Sequence, residues 1–283
     1  MHRFATGPKR NYYGKAAVIV YRLHRDGAPP PVFGASVTML LYGDAFWPTY
    51  TTGDNTGLVA TDSMKNFIQR ETVNFSGGDL ESYCHFLAEK FLRTYPQTEG
   101  IQVSAEEIPY YSCGADPQPA APALVPASGP RAFAEIELTP AGIAEIRSGI
   151  RGFKLLRLGG SAFHGFVRDQ YTTLPDIANR PLHMWLDLDW SYTSPESAFT
   201  EGAVTAQVRQ SVYEVFEGFE SGSIQQVIYQ LAARLLGTLP AIREVRLEAN
   251  NRTWDTIAEP SNTLGVYTDP RPPFGVLGLT LRR

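Results

Sequence analysis

Apolar positions in the first half of the chain fall first into alternating runs and then into runs that recur every three to four residues. "AAVIVYRLH" (16–24) and "ASVTMLLYG" (35–43) are rich in β-branched and apolar residues and predict two strands. The turn-rich "RDGAPPPVFG" between them makes the pair a hairpin. Residues 62–70 predict a helix. From residue 80 onward, Leu80, Tyr83, Cys84, Leu87, Ala88, Phe91, Leu92 and Tyr95 mark one face of an amphipathic helix that Asp79 is placed to cap. "IQVSAEEIPY" (101–110) and "RAFAEIEL" (131–138) alternate as strands on either side of a Pro/Ala-rich loop at 112–130. The order is strand, strand, helix, helix, strand, strand.

The second half repeats that order without residue-level identity to the first. "RGFKLLRLGG" (151–160) and "PLHMWLDLDWSY" (181–192) predict strands. Val204, Val208, Val212, Val215, Phe216 and Phe219 mark one helical face, and Ile224, Val227, Ile228, Leu231, Leu235 and Leu236 mark a second. "IREVRLEAN" and "VLGLTL" close the half as strands. Two antiparallel sheets, each with a helix pair on one face, make an α+β protein. The expected modules are 1–142 and 143–283.

Composition narrows the function without choosing it. The 283 residues are 43% apolar and 19% charged, about two ordinary domains' worth. A net charge of -4 with no Lys/Arg run interleaved with aromatics excludes a nucleic-acid footprint. Partners are then small molecules or protein. Two cysteines, Cys84 and Cys113, make no disulfide framework and suit a reducing compartment. No run reaches the ~18 apolar residues of a membrane span, the N-terminal basic residues lack an apolar region behind them, and the C-terminal residues carry no sorting tail, so the expected location is cytoplasmic. Five scattered histidines, with no HExxH or CxxC, predict no metal site. No GxGxxG, Walker-type loop or GxSxG elbow is found either.

Three places remain chemically suggestive. Thr61, Asp62 and Ser63 crowd the start of the first helix, where Thr61 or Asp62 is a plausible N-cap. In "SGSIQQVIYQL", Ser223 and Gln226 form an S-x-x-Q capping box that places Ile224 and Gln225 in the first turn. Helix N-termini offer unpaired N–H groups to anionic ligands, although such residues most often do no more than cap. Lys15, between Gly14 and an apolar strand, reads by itself as a solvated strand-start charge.

Taken together, "YGK" (13–15), "GDNTGLVATDSMKNF" (53–67), "FHGFVRDQYTTLPDIANRPL" (163–182), "SIQQVIY" (223–229) and "NNRTWDT" (250–256) resemble the uricase (urate oxidase) family in sequence and order. The resemblance spans essentially the whole chain. It implies a tandem T-fold, in which two modules of antiparallel sheet plus helix pair repeat and homotetramers close the sheets into a barrel. It also implies a purine-degrading oxidoreductase without cofactor that converts urate, dioxygen and water to 5-hydroxyisourate and hydrogen peroxide. Lys15 and Thr61 match the family's proton-relay pair, and a lysine base would need its pKa lowered from about 10.4. Asp62 matches the position whose backbone holds the purine, and Phe163 the aromatic on which it stacks. Arg180 and Gln225 match the side chains that grip the opposite edge, with Ile224 contributing its backbone. Asn250 matches the residue that, with Thr61, holds dioxygen. Sites in this family cross dimer interfaces, so Lys15 and Thr61 would come from one chain and Phe163, Arg180 and Gln225 from its neighbour.

One position departs from the pattern. Many uricases carry a histidine two residues after the asparagine, whereas this chain has Arg252, which cannot shuttle a proton as imidazole does. Arg252 reads equally as a charged orienter or a solvated strand residue. Two alternatives accompany the enzyme reading: a non-catalytic urate-binding T-fold protein, and another T-fold enzyme acting on a pterin or purine. Retention of both Lys15 and Thr61 favours the urate oxidase.

Overall fold

A computed structural model describes residues 3–25, 31–113, 123–200, 204–261 and 263–283. Residues 26–30 of the first turn and 114–122 of the Pro/Ala-rich loop lie outside the described set. The chain divides into two compact units, Met1–Gly149 with Ser191–Gly202, and Ile150–Trp190 with Ala203–Arg283.

In the first unit, β1 (Tyr13–Leu23) and β2 (Val32–Tyr42) form the expected antiparallel hairpin, with Val18 opposite Val37 and Val20 opposite Ala35. They are followed by a short α1 (Trp47–Thr51), α2 (Thr61–Glu71), α3 (Leu80–Thr94), β3 (Gly100–Glu107) and β6 (Arg131–Thr139). Between β3 and β6, two three-residue strands, β4 (Tyr110–Ser112) and β5 (Leu124–Pro126), pair antiparallel. The segment at 112–130 is therefore not wholly loop. Strand neighbours run β1-β2-β3-β6 and continue to the start of β7 (Gly142–Phe163). Val37, Met39 and Leu41 of β2, Val103 of β3 and Ile136 of β6 are fully buried, as are Met64 and Ile68 of α2 and Tyr83, Leu87 and Phe91 of α3. Burying each such side chain is worth about 1.5–3 kcal/mol. Helix α3 packs on β3 and β6, so the helices cover one face of these strands. Asp79 caps α3 as expected, its carboxylate accepting from Ser82 N–H at 2.7 Å.

The second unit takes up β7 from Ile150, β8 (Ile177–Tyr192) as far as Trp190, α5 (Val204–Gly218), α6 (Ile224–Thr238), β9 (Ile242–Asn251) and β12 (Gly275–Arg282), with strand neighbours β7-β8-β9-β12. The short α4 (Ser197–Thr200) belongs to the first unit. β9 and β12 are antiparallel, with Leu247 opposite Leu279 and Asn250 opposite Val276. Helix α6 buries Ile224, Val227, Ile228, Leu231 and Leu235 and packs on β9, whose Val245, Leu247 and Ala249 are buried. A β10 (Thr256–Ser261) and β11 (Leu264–Tyr267) ribbon and the opening of β7 from Gly142 were not foreseen. The Thr139-Pro140-Ala141 turn broke the alternation that would have revealed the latter.

Candidate active site

The first group of candidate residues lies where β1 meets the start of α2. A Cβ at Gly14 would lie 1.9 Å from the Met39 carbonyl oxygen, so only glycine lets β1 approach β2 this closely. The β1/β2 register shifts between Lys15 and Val18, and Ala17 has φ 56°, the left-handed region. This bulge breaks the alternation of β1 just beyond Lys15, a device found next to active sites and one that costs backbone strain. Lys15 thus lies within a distorted strand and is half-buried, rather than standing as a solvated charge before it.

Helix α2 begins differently from the expectation. Its N-cap is Ala60, with extended φ/ψ and no side-chain cap bond, and the first helical bond runs from Met64 N–H to Ala60 C=O at 3.1 Å. Neither Thr61 nor Asp62 caps; they occupy the first and second helical positions. The physical reason is that a cap must precede the helix in extended geometry, and Thr61 is already helical. The exposed Thr61 hydroxyl is thereby released from capping. The Asp62 carboxylate is instead held by Lys65 at 2.5 Å and Asn66 at 2.9 Å. The Lys65 bond, with a smaller contribution from the charge of Lys15, keeps its pKa below the usual carboxylate value. Its side chain is turned along the helix, which leaves the backbone as its available contact.

Tyr13, named only as part of "YGK", joins the two segments. Its hydroxyl accepts from Val59 N–H at 3.0 Å, two residues ahead of α2, and its ring packs edge-on against Phe46. Burial pushes its pKa up to about 12, so it remains a neutral phenol.

The second group gathers at the ends of β7, β8, β9 and the start of α6. Ser221 N–H donates to Gly160 C=O at 2.9 Å and Ala162 N–H to Ser221 C=O at 2.7 Å, fastening the strand that ends at Phe163 to the segment that leads into α6. Arg157 reinforces that junction through Phe216, Phe219 and Gly160 carbonyls and the Ser221 hydroxyl. Ser223 caps α6, its Oγ accepting from Gln226 N–H at 3.2 Å. Gln226 returns its side chain to Gly222 N–H rather than to Ser223 N–H, so the capping box is displaced by one residue. The cap bond goes to Gln226 and the first helical bond to Val227, which places the N–H groups of Ile224 and Gln225 ahead of the helical ladder. Gln225 itself is exposed, and the Ile224 side chain is in the core.

Phe163 stacks on Phe166 with centroids 5.0 Å apart, and the Arg180 guanidinium stands 5.8 Å from the Phe163 ring. Burial lowers the Arg180 pKa below its ordinary value, and its Nε is buried without a hydrogen-bond partner among the described residues. Asn250 Oδ1 is buried and unpartnered too. Unsatisfied buried polar atoms are costly, and these belong to two residues singled out for binding. A cavity of about 280 Å³ opens here, lined by Arg180, His183, Arg252, Trp254, Glu259 and Tyr267. A larger one of about 560 Å³ lies beside His85, Glu89 and Ile143 and contains none of the candidate residues.

Arg252 is not a solvated strand residue. Its guanidinium lies 3.5 Å from the Trp185 ring centroid and 3.7 Å from that of Phe274, clamped between two aromatic faces worth about 0.5–1 kcal/mol or more each. Trp185 and Phe274 had no signal in the sequence, because their role depends on two strands and a loop meeting at one point. Beside them, His183 accepts from Arg252 N–H through its carbonyl at 2.9 Å, and its Nδ1 is buried without a partner among the described residues. Among the described residues, no group of three or more His, Cys, Asp or Glu could hold a metal, and no helix is long and apolar enough to cross a membrane.

Comparison with known proteins identifies the family. The uricase family model matches residues 11–135 and 146–277. The chain is 35% identical to the uric acid degradation bifunctional protein PucL of Bacillus subtilis, over 96% of its own length and 60% of that protein's. It spans 58% of a second bifunctional relative, from Bacillus sp.. It is 36% identical to a uricase of Haloferax volcanii, with 96% and 97% of the two chains covered. Among solved structures, a hyperthermostable mutant of Bacillus sp. TB-90 urate oxidase superposes with a TM-score of 0.88 at 33% identity, covering 97% of this chain and all of that one. A uricase from Arthrobacter globiformis gives 0.86 at 27% identity, covering 96% and 93%. With its α+β architecture of tandem T-fold type, this chain belongs to the uricase family.

Proposed function

We propose that this chain is a urate oxidase that uses no cofactor. Family membership carries the oxidoreductase reading and urate as substrate, and the buried, unpartnered Arg180 Nε and Asn250 Oδ1 carry the location of the site. The reaction is urate + O2 + H2O → 5-hydroxyisourate + H2O2. The purine loses two electrons, dioxygen gains them with two protons, and the oxygen of water becomes the new hydroxyl. Urate is an electron-rich anion, so the protein has to bind, orient and deprotonate it.

Phe163 supplies a flat apolar face, and Arg180 and Gln225 grip one edge, the guanidinium presenting a planar fork to anionic carbonyls. The Ile224 N–H at the start of α6 adds a backbone donor. From the other edge, Lys15 takes the proton through the Thr61 hydroxyl, and the Asp62 backbone holds the ring. Thr61 and Asn250 flank dioxygen. The half carrying Lys15, Thr61 and Asp62 and the half carrying Phe163, Arg180, Ile224, Gln225 and Asn250 belong to different copies, in a homotetramer with sites at dimer interfaces.

The deciding experiment follows ultraviolet loss of urate together with hydrogen peroxide in air-saturated buffer containing a metal chelator. Equal amounts of urate consumed and peroxide formed support the reading. Binding of urate without consumption would replace the enzyme with a urate-binding protein.

A further inference from the structure

Asn250 and Arg252 are two residues apart where β9 ends. Val245, Leu247 and Ala249 are buried in the helix-covered core, so Asn250 lies on the opposite face of β9, and Arg252 follows as the first residue beyond the strand. Both residues carry a buried polar atom with no partner among the described residues, Asn250 Oδ1 and Arg252 Nε, and Trp185 Nε1 is a third. The Arg252 guanidinium lies over both the Trp185 and the Phe274 ring, 3.5 and 3.7 Å from their centroids. Its backbone is tied to the His183 carbonyl. A second cation, Lys154, stands 4.8 Å from the Trp185 ring. A surface arginine that only solvates a strand end needs neither clamp nor buried Nε. This one is held as a charge of fixed position.

We propose that Arg252 stabilises the negative charge that collects on dioxygen while it is reduced beside Asn250, and that Trp185 and Phe274 are the positioning residues that keep the guanidinium there. The proposal rests on the urate oxidase reading above. Electrons leave the purine and reach dioxygen before both protons do, so anionic oxygen passes through the site on its way to hydrogen peroxide. A preorganised cation in a dry pocket lowers the cost of that charge without reorganising when it forms. A guanidinium stays protonated and so contributes charge, not a proton. The protons of hydrogen peroxide come from the urate relay and from water.

The test measures the rate at saturating urate over a range of dioxygen concentrations, with anaerobic urate titration in parallel, on the full chain. Arg252→Met should lower kcat/KM for dioxygen by roughly tenfold or more while leaving the anaerobic urate dissociation constant within about twofold. Arg252→Lys, which keeps the charge, should recover most of the loss. Trp185→Leu, which keeps the arginine but frees it, should lower the same parameter by a smaller factor, and provides the reading if Arg252→Met does not fold. An unchanged kcat/KM for dioxygen in Arg252→Met, or in folded Trp185→Leu, overturns the proposal. So does a loss of urate affinity that matches the loss of rate, because Arg252 would then bind the purine. Failure of the underlying reading is separate: the unsubstituted protein would consume no urate.

Discussion

In the proposed mechanism Lys15 and Arg180 divide the work between chemistry and binding, and substitution should separate them. Lys15→Met is expected to lower turnover by about 100-fold or more, the scale of a lost general base, while urate still binds; unchanged turnover would remove the lysine from the reaction. Arg180→Ala should act mainly on affinity, raising the urate dissociation constant by roughly tenfold or more, as expected for a charged hydrogen bond. An effect confined to kcat at saturating urate would contradict a gripping role. His183 has a different consequence. Burial, then Arg252 and more weakly Lys154, hold its pKa below 6.5, against an opposing pull from Asp269. The fold therefore favours neutral imidazole, so His183 contributes stability above pH 6.5 that is lost as pH falls toward its lowered pKa. Melting temperatures of His183→Gln should fall less than those of the unsubstituted protein as pH is lowered below 6.5. Equal slopes would rule this out. At this scale the residue types of the site were legible as motifs, but the clamp on Arg252 was not. Nothing in "NNRTWDT" says that Trp185 and Phe274, far away in the chain, will close on it.

Among the elements, the junctions matter more than the lengths. Ser223→Ala should cost about 1 kcal/mol, because it strips the cap from α6 and leaves Gln226 N–H unpaired. Ser223→Gly should cost only a few tenths, and denaturant melts would tell the two apart. Gly14→Ala is the harsher change. The added Cβ meets only backbone, the Met39 carbonyl oxygen and Leu40 Cα, so β1 must move off β2. A loss of roughly 1–3 kcal/mol is expected, with turnover falling because Lys15 moves with the strand. A variant of unchanged stability and rate would show that β1 shifts freely. The caps of α3 and α6 could be read from local sequence, since a cap is a contact between near neighbours. The start of α2 could not, because Thr61 and Asp62 are both good capping types and local sequence does not say which backbone turns helical first; the cap is Ala60.

For the whole molecule, the edge strands carry the question of assembly. β1 pairs with β2 alone among the described strands and exposes Ile19, Tyr21 and Leu23 at 54%, 49% and 57%. An apolar, half-paired edge is a surface that another chain normally covers. Ile19→Lys together with Leu23→Lys should dissociate the proposed homotetramer in analytical ultracentrifugation and abolish turnover with it, if two copies are needed to complete each site. Active monomers would refute a site shared between chains. What the sequence alone determined is whatever rests on near neighbours and periodicity: the order of the long strands and helices, the apolar faces, the caps at Asp79 and Ser223, and the motif residues. Tertiary structure decided the rest, from the release of Thr61 from capping and the bulge beyond Lys15 to the brace from Tyr13 and the ring clamp on Arg252. Each of those depends on where distant backbones come to lie, and pairwise contacts across the fold leave no periodic trace along a single chain.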